Sequence, residues 1–183
     1  GLFQQTQLNE KLLKVSNAVF FYVIWWSCVL GVKLGYNYLG VIFTLLFIIV
    51  HLKLISNQRK EIKLISASAL LGVIVETCHL HTNLLSYQGY IFPNTFFPPM
   101  WIICMWIGFS GTLNYSMFWM KGRWLMMVVL GAIFGPISYI AGVKLGVINF
   151  NFSYSFTIFI LGIVWGTSIP IIYFLNNIFH KNY

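Results

Sequence analysis

The stretch Trp124-Leu-Met-Met-Val-Val-Leu-Gly-Ala-Ile-Phe-Gly-Pro-Ile-Ser-Tyr-Ile-Ala-Gly-Val-Lys-Leu145 decides the fold. No charged side chain precedes Lys144 in it. At a rise of about 1.5 Å per residue, a helix of this length crosses the roughly 30 Å hydrocarbon core of a bilayer. Strands do not fit, because the run lacks barrel-type alternation and an open strand leaves its backbone polar groups unpaired in lipid.

Five further runs of the same character predict spans from Asn17 to Leu34, Tyr38 to Leu54, Ile62 to His79, Trp101 to Met120 and Phe156 to Ile178. With the run from Trp124 to Leu145 they predict an all-α polytopic transmembrane bundle of six helices, forming a single membrane domain over residues 1–183. The composition agrees. Hydrophobic residues make up 59% of the chain and charged residues 8%, against about 25% charged in soluble domains.

The basic residues set the expected orientation. With the amino terminus inside, Lys11, Lys14, Lys53, Arg59, Lys60, Lys63, Lys121, Arg123 and Lys181 are cytoplasmic, and only Lys33 and Lys144 lie outside. The positive-inside rule then predicts both termini in the cytoplasm. The net charge of +8 punctuates apolar runs instead of forming a basic stripe on a polar face, so no nucleic-acid partner is expected. Membrane lipids and membrane-protein partner subunits are the expected partners. Cys28, Cys78 and Cys104 each fall inside an apolar run and read as small buried hydrophobes. The polar start Gly1–Lys14 and the length of the first apolar run argue against a cleavable signal peptide.

The connection over residues 80–100 has no Lys, Arg, Asp or Glu. So apolar a segment is expected to lie in the membrane interface or to fold back over the bundle as a lid. The pattern Ser27-x-x-x-Gly31-Val32-Lys33-Leu34-Gly35 recurs as Ser138-x-x-x-Gly142-Val143-Lys144-Leu145-Gly146. Such an echo fits a duplication, a shared packing of helix ends, or chance. The pairs Gly131/Gly135 and Gly162/Gly166 predict close helix contacts, and Pro136 and Pro170 predict kinks.

Candidate chemistry centres on the three acidic residues, Glu10, Glu61 and Glu76. Glu10 and Glu61 stand in Lys-rich stretches and read as solvated. Glu76 interrupts Leu70-Leu71-Gly72-Val73-Ile74-Val75-Glu76-Thr77. A carboxyl so deep in an apolar span is a candidate site by default, for proton transfer or as a polar anchor. Alternatively it is inert glue paired with Lys33 or Lys144. His79 lies one turn further along the same face. Asn114, in the cytoplasmic half of the fourth span, shares its depth with His51, about 10 Å away in depth from Glu76. His79-x-His81 is half of a metal pattern, and four histidines in all are too few for a di-iron centre, so no metal is expected. Neither a phosphate-binding glycine loop nor a serine elbow occurs.

Several ordered stretches are similar to an uncharacterised bacterial inner-membrane family, domain of unknown function 2878. They are Trp26-Ser27-Cys28-Val29-Leu30-Gly31, His51, Arg59-Lys60-Glu61-Ile62, Gly72 with Glu76-Thr77, Thr112-Leu113-Asn114-Tyr115-Ser116, and Gly135-Pro136 leading into Tyr139-Ile140-Ala141-Gly142. The resemblance covers about residues 14–150. It implies a compact multi-helix protein of the bacterial cytoplasmic membrane and brings no established activity or cofactor. In the family pattern the position of Glu76 is usually Asp, which keeps a carboxyl, and that of Tyr115 is usually His.

These observations support three functional readings. The first is a protein that binds or modifies a lipid or other lipophilic molecule, with Glu76 as its anchor or proton-transfer group. Lys33 and Lys144 would then receive an anionic head group, and Asn114, His51 and Tyr139 would join the binding residues. The second is a small six-helix transporter or the substrate-binding subunit of one. The third is an accessory subunit of a membrane complex. Whether the chain is an enzyme is left open by the sequence.

Overall fold

The computed structural model describes residues 2–93 and 96–181, apart from the side chains of residues 2 and 3. Residues 94 and 95 of the expected interfacial connection lie outside the described residues. Six α-helices form the body: α1 (Leu2–Lys33), α2 (Leu39–Leu54), α3 (Gln58–His81), α4 (Met100–Ser110), α5 (Trp124–Lys144) and α6 (Tyr154–His180). Two short strands, β1 (Leu85–Tyr87) and β2 (Ile148–Phe150), pair antiparallel. Four helices, α1, α3, α5 and α6, are long and apolar enough to cross a membrane, whereas α2 and α4 are shorter apolar helices.

The connections sort to two ends. At one end, β1 pairs with β2 and Asn37 Nδ2 donates to Tyr90 O at 3.1 Å, so the α1–α2, α3–α4 and α5–α6 connections meet there. This is the strand end. At the opposite, terminal end, Lys14 and Lys121 both lie over the Phe118 ring, and the α6 terminus approaches the start of α3. Leu70, Leu125 and Phe159 are more than half exposed on the outside of the bundle, where lipid is the solvent that accepts such side chains.

The repeated sequence pattern has a structural cause. Gly35 and Gly146 adopt positive φ, +87° and +79°, just past α1 and α5. Tyr36 N donates to Gly31 O at 2.7 Å and Gly35 N to Val32 O at 3.1 Å, and Val147 and Gly146 repeat this on Gly142 O and Val143 O. Both are the same left-handed cap, which satisfies the last carbonyls of a helix and favours glycine. Asn83 (φ 56°) closes α3 in the same manner. The echo therefore encodes one kind of helix ending.

The fourth predicted span, residues 101–120, is not one helix. α4 stops at Ser110, residues 111–117 form turns, and a single 3-10 turn spans Phe118–Met120. The local sequence explains the break. Ser110 Oγ donates to Ile107 O at 2.7 Å and Thr112 Oγ1 to Phe109 O at 2.6 Å, hydroxyl bonds that compete with the helical ladder. Irregular backbone inside a bundle requires polar partners. Asn17 of α1 supplies them by donating to Gly111 O at 2.9 Å and accepting from Ser116 Oγ at 2.6 Å, while Tyr173 of α6 donates to Met117 O at 2.6 Å. The first span is also longer than expected, its helix starting near Leu2 instead of Asn17. α5 and α6 continue through Pro136 and Pro170.

The interior is pinned by two stacked indoles. Trp106 of α4 and Trp165 of α6 lie 4.4 Å apart at 28°, with Gly72 of α3 against the first and Gly135 of α5 against the second. A Cβ at Gly72 would stand 2.6 Å from Trp106 Cγ. The small residues let four helices close on one aromatic pair. We predict that Gly72→Ala destabilises the fold by about 1–3 kcal/mol through overpacking. Gly162→Ala has less effect, since its added carbon meets Ala132 O at 3.3 Å. Thermal melts in detergent compare them, and equal midpoints would contradict the glycine–indole packing.

Candidate functional site

α3 turns an unusual stripe inward: Glu61, Ile65, Ser68, Gly72, Glu76 and His79 are buried, while Ile62, Leu70 and Ile74 are about half exposed or more. The spacing is that of one helix face, but its polarity is inverted relative to a soluble helix. Both buried carboxyls of the protein belong to it, and they stand about 22 Å apart by helix rise.

Glu76 is fully buried. The Tyr87 hydroxyl donates to its Oε2 and the Tyr139 hydroxyl to its Oε1. Trp106 Nε1 donates to Oε1 at 3.0 Å. The three donors come from β1, α4 and α5. Tyr87 arrives through the strand pairing, Tyr87 against Ile148, whose alternation turns Leu85 and Tyr87 inward and leaves Ser86 half-buried between them. Trp106 arrives because Gly72, one turn before Glu76, leaves room for its ring. All three neighbours donate, so both carboxyl oxygens are hydrogen-bonded without a counter-cation. Burial, and then the adjacent carboxyl, push the Tyr87 phenol above its ordinary range, which keeps it a donor. Lys33 and Lys144 are exposed at the strand end and make no ion pair with Glu76. The lysine-paired alternative is thus replaced by a neutral donor cage.

Tyr139 and Trp106 also form part of the floor of a groove of about 530 Å³. α1 packs on α2 and α4, and α5 packs on α6, which leaves a gap between α1 and α5. The gap is lined by Tyr22, Trp25 and Trp26 from α1, Phe134 and Ser138 from α5, and Trp165 from α6, among others. Lys33 and Lys144 end the two helices that wall it. Its lining contains no acid, histidine or cysteine.

His51 and Asn114 belong to a different cluster, at the terminal end. Glu61 is 1% exposed, not solvated as its Lys-rich surroundings suggested. His51 Nε2 lies 2.9 Å from Glu61 Oε1, and Asn114 Nδ2 donates to Oε2 at 3.3 Å. Asn114 and Asn176 exchange two amide hydrogen bonds of 3.0 and 2.7 Å. His180 Nε2 stands 3.9 Å from Glu61 Oε2. Neither His51 nor Asn114 lines the groove. Among the described residues, no group of three or more His, Cys, Asp or Glu side chains is arranged to hold a metal ion.

The match to domain of unknown function 2878 covers residues 14–171, reaching well into α6. This chain belongs to that family of proteins of unknown function. No curated protein and no solved structure matches it. The stretches that carry the resemblance are distributed over both clusters of this DUF2878 protein: Gly72, Glu76 and Tyr139 at one, His51, Glu61 and Asn114 at the other.

Sequence reasoning singled out Glu76 as a buried carboxyl, and did not anticipate its contacts with Tyr87 and Trp106, the burial of Glu61 or the part of Asn176. The inward stripe of α3 was the available signal for Glu61, and the Gly72–Glu76 spacing for an aromatic partner. We predict that Tyr139→Phe and Glu76→Gln each cost about 1–3 kcal/mol, the first by leaving an acceptor less satisfied and the second by setting an amide N–H against a donor. The double variant should cost less than their sum. Additive losses in chemical or thermal unfolding would show that the two groups do not interact.

Proposed function

We propose that this protein is a receptor for an anionic lipid in a bacterial inner membrane, crossing it six times with both termini in the cytoplasm. α4 and the turns of residues 111–120 together make the fourth crossing. The observation that carries the reading is the aromatic groove between α1 and α5, with the Glu76 cage behind its floor. Its volume of about 530 Å³ lies within the range of small-molecule pockets. From Ala18 to Val29 the groove follows α1 for about 16 Å, length for a hydrocarbon chain entering from the bilayer. Lys33 and Lys144, on the last turns of its walls, would hold a negative head group at the membrane surface. Glu76 then acts as a positioning residue: it fixes Tyr139 and Trp106 so that the floor keeps its shape without a ligand. With no acid, histidine or cysteine in the lining, binding is favoured over chemical modification.

Native mass spectrometry of the detergent-purified protein tests this. The wild type is expected to retain a lipid that Ser138→Trp, filling the groove, loses by about ten-fold. Lys33→Ala with Lys144→Ala should weaken retention of anionic lipids only. An empty wild type under gentle detergent conditions, or full retention in Ser138→Trp, refutes the reading. Orientation is checked with single cysteines at Asn57 or Asn149, in a background where Cys28, Cys78 and Cys104 are replaced by serine. An impermeant maleimide added to intact cells should label only the Asn149 position.

One observation favours a transporter subunit instead: the break in α4, since discontinuous helices line substrate paths in transporters. That reading expects a soluble ligand bound near Asn114, and retention of such a ligand without lipid would select it.

A further inference from the structure

A second cavity, of about 480 Å³, lies between α3 and α6 toward the strand end. Val75 and His79 form its α3 wall, Phe156, Ile160 and Val164 its α6 wall, and Leu84 closes it above. It shares no lining residue with the groove between α1 and α5. Two polar side chains line it. The Thr82 hydroxyl is already used, donating to Cys78 O at 2.7 Å. His79 is 4% exposed, and its Nε2 has no hydrogen-bond partner. Buried polar atoms nearly always have one.

We infer that this cavity is a second lipid site, for a single acyl or isoprenoid chain that ends in a neutral alcohol or ester oxygen bound to His79 Nε2. Three features converge on that chemistry. His79 stands on the last turn of α3, so a membrane-crossing α3 brings it to the interface, where lipid hydroxyl and ester oxygens lie. From Phe156 to Val164 the α6 wall continues toward the bilayer interior for about 12 Å with only apolar side chains facing the cavity, the place of a hydrocarbon. The cavity has no lysine or arginine to pair with an anionic head, so the oxygen is uncharged. A carbonyl oxygen requires the Nε2–H tautomer of His79, while a hydroxyl serves either tautomer. The inference rests on the membrane reading and is independent of what fills the first groove.

The test photolabels the full chain in detergent micelles with a long-chain alcohol bearing a diazirine in its tail, then maps labelled peptides. Label is expected on residues 74–82 and 152–164. Val164→Trp and His79→Leu should each reduce it about five-fold or more, while His79→Gln, which keeps a donor and an acceptor, stays within about two-fold. Unlabelled hexadecanol should compete and hexadecane should not. Ser138→Trp, in the other groove, should leave this label unchanged, so failure here and failure of the first site are separable. Unchanged labelling in Val164→Trp overturns the inference, as does competition by hexadecane equal to that by hexadecanol. Loss of the label in Ser138→Trp would assign the probe to the first groove and overturn it equally. Should His79→Leu fail to fold, Val164→Trp and the competition series still decide the matter.

Discussion

A carboxyl buried in an apolar bundle needs hydrogen-bond donors, and that need organises the strand end of this protein. Removing a polar group from water is costly unless it is hydrogen-bonded. Glu76 meets the requirement with Tyr87, Trp106 and Tyr139, and no single helix could present all three. The α3–α4 connection therefore has to fold inward, α4 has to close on α3, and α5 has to reach the same depth. The β1–β2 pairing is best understood as the device that delivers Tyr87. Two strands of three residues add little stability alone, but they fix the register of a segment that otherwise lacks regular structure.

Six apolar runs, their boundaries within a few residues for α2, α3, α5 and α6, and the burial of Glu76 were legible in the sequence, because apolar helices are encoded by local hydropathy. The remaining features depend on tertiary contacts. The run from Trp101 to Met120 is apolar throughout, so hydropathy alone reads it as one helix. Its break depends on Asn17 and Tyr173, 94 residues before Gly111 and 56 after Met117. Glu61 was obscured by the opposite effect: Arg59, Lys60 and Lys63 surround it in sequence, yet the helix turns Glu61 inward and Arg59 and Lys63 outward. The uncharged connection over residues 80–100 was legible as a segment that avoids water. In the structure its first half, with Leu84, Leu85 and Tyr87, is buried, whereas Phe92, Phe96 and Phe97 are exposed. Composition could not separate these halves, because pairing with β2 is what distinguishes them.

The two carboxyl clusters use different physics at the two ends of α3. At the strand end the donors are phenols and an indole, groups that bring large apolar bodies with them. Glu76 can thus be satisfied while its partners extend the aromatic floor of the groove. At the terminal end Glu61 is held by an imidazole and amides, short groups that bring little apolar area and tie α2, α3, the α4 break and α6 together. The first arrangement joins a polar group to a lipophilic surface; the second joins helices to one another. That contrast is why the groove, and not the Glu61 cluster, carries the functional reading, although both contain residues of the family resemblance.

The glycine–indole stack connects these points. Trp106 contributes its ring edge to Glu76 and one face to Trp165, and Trp165 in turn lies against Gly135 and beside Tyr139. A displacement of either indole would therefore alter the groove floor and the carboxyl's donors together. The groove between α1 and α5 thus has in its floor two of the groups that hydrogen-bond Glu76. His79, on the next turn of α3, packs edge-on against Tyr139 at 6.3 Å, so the wall of the second cavity touches the same unit. The two cavities share no lining residue but do share this partition of stacked rings around one buried carboxyl.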